Sequence, residues 1–412
     1  MMHTIKEVIK KFVPKESLLL YHYLLSYISA LLSGFPAKKM EVILVTGTKG
    51  KSTVSELIYT ILKESGHKAA LISTIKFALP EETIPNKLKM TMPGRGQIHR
   101  LLKKAYDQGA KYAVIEATSE GTKLYRHTFL FPDILVFTNL QKEHIESHGS
   151  FENYKKAKLL YAKEIQKQRG AIVANGDDKH ADDFLAYATV KVPYKEKELE
   201  NLSLTSSGIS FEYKGSPVSL PLPGKFNAMN ALAALKVANL LSIPDEEAVH
   251  AIQKTEKVRG RVEFVDAGQD FAAVVDYAHT PDSLEALYGA FPEQKKICIL
   301  GNTGGGRDTW KRPLMGVIAE NHCEVVILTN EDPYDEDPQK IIDEMSAEMK
   351  KEPVVIMDRR EAINHALSIA QKDDVVLISG KGTDPYIMEA RGKRTPWDDA
   401  TVVREELAKI LG

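Results

Sequence analysis

The stretch Val45 to Thr53, VTGTKGKST, ends an apolar run with two glycines, two lysines and several hydroxyls. Glycines at 47 and 50 let the backbone turn tightly and aim its N–H groups at one point, and a helix starting near Ser52 adds the positive end of its dipole. Phosphate suits such a turn. Lys51 would meet the terminal phosphates of a nucleotide, while Ser52 and Thr53 offer hydroxyls to a phosphate oxygen or to Mg²⁺. The common P-loop spacing wants a further glycine where this chain has Val45, so the loop alone also fits a plain strand-to-helix turn.

A second group follows two apolar runs, KYAVIEA (111–117) and DILVFTN (133–139). Glu116 falls at the end of the first, where a hard carboxylate suits Mg²⁺ beside a nucleotide. Beyond the second, HIESH sets His144 and His148 one helical turn apart, with Lys158 further on. The histidine pair fits either a metal hydrolase or surface residues, and it lacks the glutamate placement of HExxH. From its helix alone, NYKKAKLLYAKEI, Lys158 reads as a solvated lysine.

These residues need a scaffold, and the patterning supplies one. EVILVT (41–46), the two runs above and AIVAN (171–175) are short β-branched stretches separated by amphipathic segments, the pattern of a mostly parallel sheet wrapped by helices. Residues 191–223 read as a small antiparallel patch, followed by a helix over Asn227–Leu241. The alternation resumes with FAAVVDY (271–277), KICILG (296–301), EVVILT (324–329), PVVIM (353–357) and DVVLIS (374–379). The expected class is α/β: a short N-terminal helical segment (1–40), a central P-loop-type parallel-sheet ATPase domain (41–257) and a C-terminal Rossmann-like α/β domain (258–412).

Over 412 residues, Lys plus Arg total 55 against 56 Asp plus Glu, so net charge gives no pull toward nucleic acid; small-molecule substrates are expected. Cys298 and Cys323 lack CxxC spacing, which argues against a disulfide scaffold and a cysteine zinc site and fits a reducing cytoplasm. The uncharged run Ser17 to Phe35 is long enough to cross a bilayer but only moderately apolar. A helix packed on the next domain is the expectation, with membrane contact the alternative.

Taken together the motifs resemble the Mur ligase superfamily, in its group of UDP-N-acetylmuramoyl-peptide ligases that add the third residue of the peptidoglycan stem. The resemblance runs through VTGTKGKST (45–53), EATSEG (116–121), FTNLQKEHIESHGSFENYKKAK (137–158), FNAMNALAA (226–234), VRGRVE (258–263), DYAHTPDSL (276–284), GGGRDTWKRPLMG (304–316), EDPYDEDP (331–338), GKGTD (380–384) and WDD (397–399). It implies an ATP-dependent ligase that turns an acceptor carboxylate into an acyl phosphate, which an amino-acid amine then attacks. Gly47, Thr48, Lys49, Gly50, Lys51, Ser52 and Thr53 would hold the phosphates. Ser52 and Glu116 would bind one Mg²⁺, and His144 a second, with Lys158 carbamylated by CO₂ and facing it. Asn227 or Asn230 would reach the adenine and Asp276 the ribose, while Arg261, His279 and Lys311 would line the phosphates, the last domain closing on ATP.

The resemblance is fullest in this ATP half. The family carries a whole N-terminal domain for the UDP moiety, where about 40 residues precede the first strand here, which leaves a lipid-linked acceptor open beside a UDP-linked one. Diaminopimelate-adding members carry Asp-Asn-Pro-Arg where this chain has Glu331-Asp332-Pro333-Tyr334, and tyrosine cannot make the bidentate pair of an arginine. Arg307, Gly380 and Asp384 match positions around the incoming amino acid, and Glu331 and Asp332 are either turn residues or partners for a cationic side chain such as lysine. On the acceptor side, Thr118-Ser119-Glu120 replaces Ser-Ser-His, Thr91 opens TMPG in place of Thr-Thr-Pro-Asp, and Arg126 is either an acceptor contact or a surface ion pair. The alternatives are a folylpolyglutamate-type ligase, a noncatalytic ATP-binding subunit and, last, a metal hydrolase.

Overall fold

The computed structural model describes residues 15–94 and 96–412; the first fourteen residues of the expected N-terminal segment lie outside the described residues. The chain divides into two compact units, one made of residues 1–202, 210–219 and 227–255, the other of 203–209, 220–226 and 256–412.

In the first unit, α1 (Lys15–Leu32) precedes β1 (Glu41–Thr46), α2 (Lys51–Glu64), β2 (Ala69–Ile72), β3 (Lys76–Leu79) and β4 (Glu82–Pro85). Next come α3 (Gln97–Asp107), β5 (Tyr112–Glu116), α4 (Ser119–Lys123), β6 (Ile134–Phe137), α5 (Ile145–His148), α6 (Phe151–Gln168), β7 (Ala171–Asn175), α7 (Ala181–Leu185) and β8 (Val190–Tyr194). The eight strands form one sheet in the order β4-β3-β2-β5-β1-β6-β7-β8. β1 lies between β5 and β6 and is parallel to both, so its end and the ends of its neighbours share one edge. Val42, Ile43, Leu44 and Val45 are buried, which explains the unbroken apolar run: a strand covered by helices on both faces has no solvent side. The short AALI strand β2 and the antiparallel pair β3 and β4 extend the sheet beyond what the periodicity showed.

Two expectations need correction in this unit. The stretch KVPY belongs to β8, which pairs parallel with β7 and not with the antiparallel patch. Lys158 is buried, as described below.

The antiparallel patch itself is β9 (Glu200–Thr205), β10 (Gly208–Tyr213) and β11 (Ser216–Leu220), followed by α8 (Lys225–Leu240) and α9 (Asp245–Ile252). The second unit then runs through β12 (Glu263–Phe264), β13 (Ala272–Val275), α10 (Pro281–Gly289), β14 (Lys296–Leu300), α11 (Arg312–His322), β15 (Val325–Leu328), α12 (Pro338–Ser346) and β16 (Val354–Val355). It ends with α13 (Arg359–Ile369), β17 (Val375–Ile378), the hairpin β18 (Tyr386–Met388) and β19 (Arg394–Pro396), and α14 (Asp399–Leu411). Its six-stranded sheet has the order β12-β13-β17-β14-β15-β16, parallel except at the β12 edge. Apolar clusters fill both faces, one around Leu284, Tyr288 and Met315, the other around Ile363, Val403 and Leu407. A buried ion pair, Arg359 to Asp399 at 2.9 and 2.8 Å, ties α13 to α14.

The cysteines are the third correction. Cys298 in β14 and Cys323 just past α11 are joined as a disulfide, with Cα atoms 6.1 Å apart. The crossover helix α11 carries the chain back over the strand it left, so two cysteines far apart in sequence meet. Their spacing therefore no longer speaks for a reducing compartment. No helix among the described residues is long and apolar enough to cross a membrane.

Candidate active site

The loop between β1 and α2 is shaped by contacts that exclude side chains. Gly47 has φ of 150° and a Cβ there would lie 1.9 Å from Thr138 Oγ1; Gly50 has φ of 81° and its Cβ would lie 2.5 Å from Asn230 Oδ1. Only glycine meets both demands without strain. The end of β6 braces the loop: Thr138 Oγ1 donates to the Lys49 carbonyl at 2.6 Å, and Lys49 N–H donates to Asn139 Oδ1 at 2.9 Å. Lys51 Nζ curls over the loop onto the carbonyls of Gly47 (3.1 Å) and Thr48 (2.8 Å). Thr48 Oγ1 lies 3.0 Å from the Tyr154 hydroxyl, and Lys49 pairs with Glu143 at 3.2 Å.

The first turn of α2 carries Ser52, whose Oγ lies 3.1 Å from both oxygens of buried Glu116. Glu116 also accepts from the backbone N–H and the hydroxyl of Thr74, each at 2.8 Å, and Thr74 Oγ1 is 2.7 Å from Thr91 Oγ1. A hydroxyl and a carboxylate thus sit together at the loop, the oxygen donors Mg²⁺ prefers beside a phosphate.

Lys158 is 1% exposed, and its Nζ donates to the Gly47 carbonyl at 2.7 Å and lies 4.9 Å from the Tyr154 ring centroid. Burial first, and the nearby Lys51 cation second, hold its pKa well below the ordinary lysine range. His144 has left-handed backbone (φ 58°) and is likewise pushed down by burial, Glu143 opposing and Lys158, Lys51 and Lys49 adding to the effect. The loop, Glu116, His144 and Lys158 therefore share one neighbourhood. His148 goes elsewhere: its Nε2 is 3.1 Å from Ser119 Oγ and 3.3 Å from Glu120. His148 is thus taken up by Ser119 and Glu120, which leaves the histidine pair without a shared site.

The remaining residues of this unit fall around the same sheet edge or beside it. Asn227 and Asn230 are buried in α8, with Asn230 Nδ2 donating to Asn227 Oδ1 at 3.2 Å. Arg126 donates to the Met92 carbonyl at 2.7 Å, and the carbons and nitrogens of its guanidinium crowd Gly94. Thr74, Tyr154, Thr138 and Asn139 had no place in the expected set, although the position of Thr138 and Asn139 at a strand end was a signal for them.

In the second unit, the Arg261 guanidinium stacks 4.5 Å from the Tyr277 ring. Asp276 accepts from the N–H groups of Val262 and Ala278, both at 2.7 Å, so it holds the turn after β13. His279 Nδ1 meets the Tyr277 carbonyl at 2.7 Å, and Lys311 Nζ donates to the His279 carbonyl at 2.8 Å. A second cluster lies at the strand ends near residue 331. Thr303 donates to Glu331 Oε1 at 2.6 Å, whereas buried Oε2 has no hydrogen-bond partner and would lie 2.3 Å from a Cβ at Gly380. Burial and neighbouring Asp332 raise the Glu331 pKa. Asp332 pairs with buried Lys381 at 2.8 Å and accepts the Met388 N–H at 2.7 Å. Tyr334 has φ of 53° and faces Arg307 at 5.8 Å, while Asp384 lies 3.6 Å from Lys381.

A glycine loop opening a helix at the edge of a parallel sheet, with a buried carboxylate and serine beside it, defines a P-loop-type nucleotide-binding domain. Two family models match the chain, the Mur ligase middle domain over residues 45–238 and the Mur ligase glutamate ligase domain over residues 260–382. The chain belongs to the Mur ligase family. It is 37% identical to a UDP-N-acetylmuramoyl-L-alanyl-D-glutamate--2,6-diaminopimelate ligase of Caldanaerobacter subterraneus subsp. tengcongensis, over 91% of this chain and 79% of that protein. It is 34% identical to a UDP-N-acetylmuramyl-tripeptide synthetase of Roseiflexus sp., over 94% and 82%. Among solved structures, a diaminopimelate ligase of the same description as the first relative matches with a TM-score of 0.62 at 29% identity, covering 90% of this chain and 79% of that one. The folylpolyglutamate synthase of Mycobacterium tuberculosis complexed with ADP and AMPPCP shares the fold, with a TM-score of 0.70 at 16% identity over 95% and 98% of the two chains.

Proposed function

We propose that this ligase joins an amino acid to the carboxylate of a muropeptide-like acceptor, using ATP to make that carboxylate reactive. The observation that carries the reading is the loop itself, with Ser52 and Glu116 in contact beside it and a buried lysine amine against its Gly47 carbonyl. The relatives' names supply the acceptor class and the third-residue position.

In this reading the loop N–H groups and Lys51 hold the phosphates in line with the acceptor carboxylate, which takes the terminal phosphoryl group as an acyl phosphate. The amine of the amino acid attacks the acyl carbon, phosphate leaves, and an amide remains. Ser52 and Glu116 would hold one Mg²⁺, and His144 with Lys158 as its carbamate a second; bound there, the ions would neutralise charge between two anionic reactants. Lys158 is suited to carbamylation because burial holds its pKa well below the ordinary lysine range, which favours the neutral amine that attacks CO₂. Asn230, against Gly50, would orient the adenine side of the nucleotide, and in the second unit Arg261, Asp276, His279 and Lys311 are the residues that the family resemblance assigns to nucleotide.

For the incoming amino acid we assign Arg307, Gly380, Asp384 and Glu331. With Asp332 committed to Lys381, the unpartnered oxygen of Glu331 is the carboxylate left to meet an ammonium group. Thr91, Ser119 and Arg126 would face the acceptor. The folylpolyglutamate alternative rests on fold likeness alone. The test is incubation with ATP, Mg²⁺ and bicarbonate against UDP-linked and lipid-linked muropeptides and a panel of amino acids. ADP release coupled to a new amide supports the proposal; nucleotide binding without amide across the panel overturns it.

A further inference from the structure

The largely apolar helix α1 leaves one face uncovered. It meets the protein through small and polar residues and two tyrosine rings: Ser26 Oγ lies 3.3 Å from His99 Nε2, Ser29 Oγ donates to the Gly96 carbonyl at 2.8 Å, Ser26, Ala30 and Ser33 are buried, and Tyr23 and Tyr27 pack against Phe129. Leu20, Leu24, Ile28 and Leu31 form one outward stripe at helical spacing, and Leu20 is 57%, Leu31 51% and Leu32 81% exposed. A contiguous apolar stripe of this kind marks an interaction surface, since isolated exposed leucines are ordinary but a whole helix face is not.

Charge says what that surface meets. The turn after the helix carries exposed Lys38 and Lys39, with Lys38 Nζ 4.7 Å from the Phe131 ring centroid and Lys39 Nζ 5.0 Å from that of Tyr106, and α3 beside the helix presents Arg100, Lys103 and Lys104. Glu82 and Asp107 answer two of these cations, which leaves the rim cationic on a chain whose net charge is only −1. Leu25, Ile28 and Leu32 floor a groove of about 490 Å³ whose other wall is Arg100, Lys103 and Lys104, so aliphatic and cationic surface adjoin. Tyr21 is 55% exposed on the helix, and tyrosine favours the membrane–water boundary. An apolar stripe with a cationic border and a tyrosine matches an interfacial helix, and no described helix is apolar enough to span.

We propose that this face of α1 docks on the surface of an anionic phospholipid bilayer, with the helix lying in the interface. The Ser26 and Ser29 side of the helix then keeps its contacts with α3 and its cap while Leu24 and Leu31 enter the acyl boundary. The outward face of α1 does not depend on which amino acid is joined.

The test is co-sedimentation of the full chain with vesicles of phosphatidylcholine alone and of phosphatidylcholine mixed with phosphatidylglycerol. The expected result is binding to the phosphatidylglycerol vesicles that weakens with salt. Leu24→Ser with Leu31→Ser should weaken it by at least about tenfold, given what burying a leucine contributes. Lys38→Gln and Lys39→Gln should each cost about fivefold. Both sets lie on exposed positions, and amide-forming activity in detergent-free buffer should stay at the unsubstituted level, showing that the fold is kept. Absence of vesicle binding overturns the proposal, as does binding that neither set changes. So does a dimer that forms without lipid and is dispersed by Leu24→Ser with Leu31→Ser, which would make a second copy the occupant.

Discussion

Replacing Lys158 by methionine separates a chemical role from a structural one. The side chain is buried, and its amine makes one short hydrogen bond, 2.7 Å to the Gly47 carbonyl. Gly47 O keeps a second donor, Lys51 Nζ at 3.1 Å, so losing the hydrogen bond from Lys158 costs about 1 kcal/mol. Methionine has nearly the same length, which holds any packing cost below about 1.5 kcal/mol. Unfolding should therefore shift by a few degrees, at about 2–4 °C per kcal/mol for a unit of this size. Removing a carbamate that faces transition-state charge should instead cost about 3–4 kcal/mol, or a hundredfold to a thousandfold in turnover. The assay is amide formation under saturating ATP, alongside a thermal melt and an ATP-analogue titration. It is repeated after CO₂ is stripped from the buffer and again with bicarbonate restored. Unsubstituted protein should lose turnover on stripping and regain it, while Lys158→Met responds to neither and still binds nucleotide. Turnover that falls only in proportion to stability, or that ignores bicarbonate in the unsubstituted protein, would refute the reasoning.

Other perturbations report on single contacts. Gly50→Ala places a Cβ 2.5 Å from Asn230 Oδ1 at a left-handed φ, a strain of about 1–2 kcal/mol before Asn230 moves; calorimetry should show nucleotide binding weakened about tenfold or more, and an unchanged affinity would mean the loop is not the phosphate site. Asp332→Asn removes the carboxylate charge nearest buried Lys381, leaving Asp384 at 3.6 Å, and should destabilise the second unit by about 3 kcal/mol in a denaturant titration. Burial lowers the His99 pKa to about 4 from 6.5, so the unfolded chain takes up a proton first as pH falls. The neutral His99 is fully tolerated above pH 6.5, and about 3 kcal/mol of stability is lost between there and pH 4. His99→Leu should flatten that limb of the pH–stability curve, and an unchanged limb would assign acid sensitivity to other groups.

The tight turn between β1 and α2 was legible because its residues are contiguous and its backbone demands glycine at fixed places. Glu116 was legible because a parallel strand delivers its last residue to the ligand edge. Lys158 was not, since helical periodicity ranks a lysine as solvated, and its burial comes from Tyr154 and a loop distant in sequence. The Cys298–Cys323 pair needed the crossover through α11, which no local spacing encodes. The β2 to β4 extension was hidden because its strands are short and β4 is largely exposed. For α1, an uncharged run showed a helix but not its orientation; only the serine contacts to α3 reveal which face turns outward.

The central claim is that ATP is spent on activating a carboxylate, and isotope transfer tests it most directly. The acceptor's free carboxylate is labelled with heavy oxygen, the ligation is run with its amino acid, and the released phosphate is analysed by mass spectrometry. Activation through an acyl phosphate predicts ADP as the nucleotide product and one labelled oxygen in phosphate for each amide formed. Unlabelled phosphate, or label recovered in AMP, would contradict it.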